Sequence, residues 1–97
     1  MARVVLVEVF AAPGCPRCGR AKTALARVAE SFGDAVRWRE VDVVAELDYA
    51  VSLGVRATPA IAIDGRLAFT GLPDEAALRR ALTERLNPSP ETKENRP

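Results

Sequence analysis

The chain has 97 residues, enough for one modest domain, and its 48% hydrophobic and 28% charged content is that of a globular protein. A formal charge of +1 gives no general attraction to nucleic acid or membranes, and no stretch approaches the ~20 apolar residues of a membrane span. Histidine is absent, which removes the commonest general base, the usual companion of cysteine in metal sites and any histidine pH switch.

Met1-Ala2-Arg3 runs directly into Val4–Val7, but Glu8 breaks the apolar run and Cys15 stands where a leader would be cleaved. A mature first strand over Val4–Phe10 is therefore expected rather than a signal peptide. On that reading the protein stays in the cytoplasm, where stable structural disulfides are rare. Ala11–Gly14 is a turn, broken by Pro13-Gly14. A helix follows from about Pro16 to Phe32, with Ala21, Leu25, Val28, Ala29 and Phe32 at helical spacing. Gly33 stops it, since glycine takes positive φ at a helix end. Val36–Val41 reads as a second strand with Trp38 on the core side.

A short helix is expected over about Val44–Leu53, its apolar stripe made by Val44, Leu47 and Val51 and its end capped by Gly54. Ala60–Ile63 is a third strand, Asp64-Gly65 a hairpin turn, and Leu67–Thr70 the returning fourth strand. Gly71 and Pro73 break the chain before a last helix over about Asp74–Leu86, buried through Leu78, Ala81, Leu82 and Leu86. Asn87–Pro97 holds three prolines and no apolar anchor, so a disordered tail is expected after a domain covering 1–86. The order β-α-β-α-β-β-α predicts an α/β fold. A right-handed crossover makes the first two strands parallel, the hairpin makes the last two antiparallel, and one mixed four-stranded sheet with helices on its faces satisfies both.

Cys15 and Cys18 are the only cysteines, two residues apart, just after a strand and at a helix start. Cys15 falls near the N-cap, where free N–H groups and the helix dipole favour a thiolate and lower its pKa below the ordinary value of ~8.5. Pro16 suits the first helical position, and Arg17 adds a permanent positive charge beside the thiolate. Cys18, one turn inside the helix, is placed to attack a mixed disulfide formed at Cys15. Two other readings stay open. The cysteines could be merely small residues in a loop, or two chains could share four thiolates around zinc or an iron–sulfur cluster. Thr58-Pro59 precedes the third strand, where a proline costs no ladder bond.

Across about residues 3–86 the chain resembles the thioredoxin/glutaredoxin superfamily. The resemblance rests on Cys15-Pro16-Arg17-Cys18 after the first strand, Thr58-Pro59 before the third and Gly71 after the fourth. It implies a thioredoxin-like fold, Cys15 as nucleophile, Cys18 as resolving thiol and a redox-active Cys15–Cys18 disulfide. It also implies a cis Pro59 next to that disulfide, with Thr58 and Gly71 at the substrate-binding edge and Thr58 pairing with an extended substrate segment. Pro16 after the first cysteine is similar to glutaredoxins and to the small glutaredoxin-like thioredoxins of prokaryotes.

Several positions depart from those patterns. The Trp-Cys-Gly-Pro-Cys signature is absent. Six residues before Cys15, where thioredoxins carry a buried acid, stands Val9, and Glu8 points the other way. Glutaredoxins carry Tyr or Phe where this chain has Arg17, a Gly-Gly pair where it has Thr70-Gly71, and a Lys or Arg where it has Ala11-Ala12. A protein disulfide is favoured over glutathione as substrate on these grounds.

The helix region 15–32 carries Arg17, Arg20, Lys22 and Arg27 against Glu30, whereas 34–52 carries two cations against five acids. Two solvated faces account for this, and a positive rim around Cys15 that attracts acidic partners is the sharper reading. The expected protein is a monomeric protein-disulfide reductase with no bound cofactor or metal. Its reductant is an NADPH-dependent thioredoxin-reductase-type flavoprotein, with glutathione as the alternative.

Overall fold

The computed structural model describes residues 3–87. Strand β1 spans Val5–Ala11, helix α1 Pro16–Phe32, strand β2 Val36–Asp42, helix α2 Leu47–Leu53, strand β3 Ala60–Ile63, strand β4 Arg66–Thr70 and helix α3 Glu75–Leu86. The sheet order is β2-β1-β3-β4, with β1 parallel to β2 and antiparallel to β3, and β3 antiparallel to β4. The expected topology is therefore found. Asp64 and Gly65 take φ of 50° and 81°, the two successive positive values that match a tight hairpin to strand twist. Of the expected tail, Asn87 caps α3 and 88–97 lie outside the described residues.

The central strand β1 has two buried faces. Val5, Val7 and Val9 point to one side, where Ala21, Leu25, Val28 and Ala29 of α1 and Leu78 and Leu82 of α3 cover them. Trp38 and Phe69 pack against the same cluster. Phe10 points to the other side and joins Val41, Ala50, Ala60 and Ala62 beneath α2. The register of β3 on β4 shifts between Ile61 and Ala62. That irregularity lets Phe69 and Leu67, two residues apart, serve opposite faces of the sheet.

Glu8 lies on the α2 side, opposite Val9 as expected, but that side is closed and Glu8 is only 2% exposed. Its carboxylate accepts from Arg39 (2.8 Å) and from the Tyr49 hydroxyl (2.5 Å), so the buried charge is paired and hydrogen-bonded. The bond to Glu8 is the main cause raising the Arg39 pKa, and with burial it raises that of the Tyr49 phenol.

Anchoring through Tyr49 explains a correction to α2. The sequence placed Val44, Leu47 and Val51 on the buried stripe, yet they are 68%, 57% and 62% exposed. Ala50 is buried instead, with Tyr49 and Leu53 packed beside it. The helix also starts later than expected, at Leu47. Asp42 Oδ1 accepts from the Val44 N–H (2.8 Å), and this side-chain turn competes with the helical ladder. Helix rotation is set by the polar anchor and the Tyr49 ring, 5.8 Å from that of Phe10, rather than by the aliphatic side chains.

Candidate active site

The parallel strand β1 ends at Ala11, and the turn through Pro13 and Gly14 (φ 75°) reverses the chain into α1. Cys15 is the N-cap of α1, in extended conformation, and Pro16 follows in the first turn, where its missing N–H costs nothing. The Cys18 N–H donates to the Cys15 carbonyl at 3.2 Å, tightening this turn. No acidic residue occupies the first turn. A negative charge on the Cys15 sulfur therefore meets the positive end of the helix without a competing carboxylate.

The two cysteines are joined as a disulfide, with Cα atoms 5.4 Å apart. Their surroundings differ. Cys15 is partly exposed, whereas Cys18 is 3% exposed and belongs to the buried side of α1. Pro16 and Arg17 are exposed beside Cys15. A cleft of about 480 Å³ opens onto both cysteines, lined also by Ala11, Ala12, Gly14, Pro16, Gly19, Lys22 and Glu40. Lys22 Nζ lies 3.2 Å from Glu40 Oε1 within that lining. The sequence reading placed Lys22 in a general positive rim and gave Glu40 no role. The usable signal was the spacing, because Lys22 is four residues beyond Cys18 and so on the same helical face.

The rim itself is smaller than its composition suggested. Lys22 is paired with Glu40 and Arg27 with Glu75, so among the described residues only Arg17 and Arg20 of the four α1 cations make no ion pair. The Glu75 contact raises the Arg27 pKa and the Arg27 contact lowers that of Glu75.

The peptide bond between Thr58 and Pro59 is cis. Pro59 is fully buried and Thr58 half-buried at the head of β3. The pairing of Phe10 with Ala60 brings this end of β3 to the end of β1 from which the cysteine turn departs. The Gly71 N–H donates to the Pro59 carbonyl at 2.8 Å, which fastens the end of β4 to the same place. Gly71 has φ of 84°, a backbone conformation that disfavours any side chain there. A groove of about 240 Å³ runs from Thr58 and Ala12 along Val43, Leu47, Val51 and Val55. A larger one of about 590 Å³ runs from Pro16 along Arg20, Leu72 and Pro73, and neither sulfur lines it. The expected site residues thus converge on one end of the sheet: Cys15, Pro16, Arg17 and Cys18 from the β1–α1 turn, Thr58 and Pro59 from β3, and Gly71 from β4.

Among the described residues, no group of three or more His, Cys, Asp or Glu side chains is placed to hold a metal ion. No helix among them is long and apolar enough to cross a membrane.

A thioredoxin-domain family model matches residues 5–83. The thioredoxin of Methanocaldococcus jannaschii is 37% identical over 82 residues, covering 84% of this chain and 96% of that one. Among solved structures, a mutant thioredoxin from Halobacterium salinarum superposes with a TM-score of 0.76 at 25% identity, covering 91% of this chain and 80% of its own. Oxidised mitochondrial thioredoxin 3 of Saccharomyces cerevisiae superposes with a TM-score of 0.70 at 27% identity, covering 84% and 79%. The chain belongs to the thioredoxin family, and it is a thiol–disulfide oxidoreductase acting through its Cys15–Cys18 pair.

Proposed function

We propose that this thioredoxin-family chain reduces disulfides of protein substrates, with Cys15 as the attacking thiolate and Cys18 as the resolving thiol. The observation that carries this reading is the asymmetry of the pair. Cys15 sits partly exposed at a helix N-cap, and Cys18 is 3% exposed one turn inside. Helix-end electrostatics and the permanent charge of Arg17 favour the thiolate at Cys15.

The Cys15 thiolate attacks one sulfur of the substrate disulfide, forming a mixed disulfide and expelling the other substrate sulfur as a thiolate. Cys18 loses its proton and attacks the Cys15 sulfur. The Cys15–Cys18 disulfide forms, and the second substrate thiolate leaves and is protonated. Two electrons pass from the dithiol to the substrate. The Thr58 backbone, ahead of cis-Pro59, holds an extended substrate segment beside Cys15, and Gly71 leaves its side of that edge open.

The reductant that restores the dithiol is an NADPH-dependent flavoprotein of the thioredoxin-reductase type, and the chain works as a cytoplasmic monomer. Glutathione is the competing reductant. Arg17, Ala11-Ala12 and Thr70-Gly71, which replace glutaredoxin features, argue against a dedicated glutathione site.

An insulin-type reduction assay tests the reading. Turnover should occur with the flavoprotein, and Cys15→Ser should abolish it; undiminished activity in that variant would refute the assignment. A Cys15–Cys18 potential near about −270 mV fits the flavoprotein couple, and one near about −200 to −230 mV fits glutathione. A coloured or metal-containing dimer on purification would instead favour a shared cluster.

A further inference from the structure

Resolution of the mixed disulfide requires a thiolate at Cys18, and the surroundings of Cys18 work against one. Cys18 is 3% exposed, and burial favours the neutral thiol. The effect of the helix dipole falls off within the first turn, so Cys18, the third helical residue, meets less of it than Cys15 at the N-cap.

The cleft over the two sulfurs is lined by one cation and one anion. Its lining is otherwise alanine, glycine, proline and the cysteines, and its only charged side chains among the described residues are Lys22 and Glu40. Lys22 stands one helical turn beyond Cys18 on the same face of α1. Glu40 comes from β2, on the same side as Trp38, and sits opposite Val9 of β1. Its carboxylate holds the Lys22 ammonium at 3.2 Å. With 37% and 45% of these side chains exposed, the pair contributes little to stability. What it does is hold the Lys22 ammonium beside the Glu40 carboxylate in the lining of the cleft instead of extended into solvent.

The other charges around Cys18 do not take this role. Arg17 and Arg20 are exposed on α1, and β1 and the 11–14 turn bring no ionisable group into the cleft. On α3 the charges facing α1 are Glu75, held by Arg27, and Arg79, which donates to Ser31 Oγ at the far end of α1, and on β2 the exposed Asp42 accepts from the Val44 N–H.

We propose that Lys22, held by Glu40, is a positioning residue for the resolving step: its ammonium favours the thiolate of Cys18 as that sulfur attacks the mixed disulfide. The proposal rests on the resolving role of Cys18.

Lys22→Met should raise the Cys18 pKa. For each unit of that rise, the thiolate fraction below both pKa values falls about ten-fold. The more basic thiolate is about three-fold more nucleophilic, leaving resolution about three-fold slower. Above both pKa values the variant should be about three-fold faster. The two pH–rate profiles must therefore cross. Lys22→Arg keeps the charge and should follow the parent.

The test is stopped-flow mixing of the reduced full-length chain with an aromatic disulfide that releases a coloured thiolate. The first release reports attack by Cys15 and the second reports attack by Cys18. Crossing profiles for the second release in Lys22→Met, with the first release unchanged, support the proposal. Superimposable profiles, or a slowing of the same size at every pH, overturn it. A parent chain that gives no second release overturns the resolving role of Cys18 and this proposal with it.

Discussion

Replacing Tyr49 by Phe removes one hydroxyl and leaves the aromatic packing on Phe10 in place. The lost bond is the one that the Tyr49 hydroxyl donates to Glu8 Oε1 at 2.5 Å. Glu8 has a side chain only 3% exposed, so the freed oxygen gains little solvent in exchange. Arg39 still holds Oε2, which keeps the charge paired and limits the damage. A hydrogen bond to a charged group contributes about 1.5–3 kcal/mol, and the middle of that range, about 2 kcal/mol, is expected here. For a domain of this size such a loss lowers Tm by about 8–16 °C.

Urea unfolding of the oxidised protein, followed by far-UV circular dichroism, measures it. The midpoint should fall with an unchanged slope. In a double-mutant cycle with Glu8→Gln, the Tyr49→Phe penalty should shrink by about 1 kcal/mol or more. A loss below about 0.5 kcal/mol, or no coupling to Glu8, would show that Tyr49 does not anchor the buried carboxylate.

Tyr49 is the only tyrosine, so its phenolate absorbance can be titrated directly. The bond to Glu8 and burial place its pKa above the ordinary value of about 10. The stability it contributes is present below that ordinary value and is lost as pH rises through the folded pKa; a midpoint at or below about 10 would contradict the contact. Asp64 has the opposite sign. Burial pushes its carboxyl up, but the Arg85 guanidinium at 2.7 Å and the Leu6 N–H outweigh this and hold it below the usual range. Its contribution is present above about pH 4 and lost as pH falls through the folded value, so Asp64→Asn should flatten the acid limb of the stability profile. An acid limb identical to the parent's would count against the Arg85 pair. Leu25→Ala, in the core, should cost about 2–5 kcal/mol, whereas Val51→Ser, 62% exposed on α2, should cost under about 0.5 kcal/mol. Comparable losses at the two positions would contradict the observed rotation of α2.

Strong local patterns carried most of this fold. Alternation of buried valines, the Pro16 start and Gly33 stop of α1, and the Asp64-Gly65 turn each have one low-energy conformation, and every element except α2 falls within a residue of expectation. The path of α2 was less legible. A seven-residue helix offers too few turns for its apolar spacing to fix a rotation, and tertiary contacts at Tyr49 and Ala50 decided it. The burial of Glu8 was not legible for a related reason: only the distant Arg39 and Tyr49 make it possible for a charge in the middle of a strand. At the site, the cysteine pair and Thr58-Pro59 were readable because each is local in sequence. The Lys22–Glu40 pair was not, since it joins a helix to a strand edge 18 residues away.

The central claim is that Cys15 attacks and Cys18 resolves. It is tested most directly by incubating the reduced Cys18→Ser variant with a disulfide-bonded protein and measuring the intact mass of the product. A stable adduct through Cys15 should accumulate, while Cys15→Ser should form none at a comparable rate. Equal trapping by both variants, or trapping only through Cys18, would contradict the assignment.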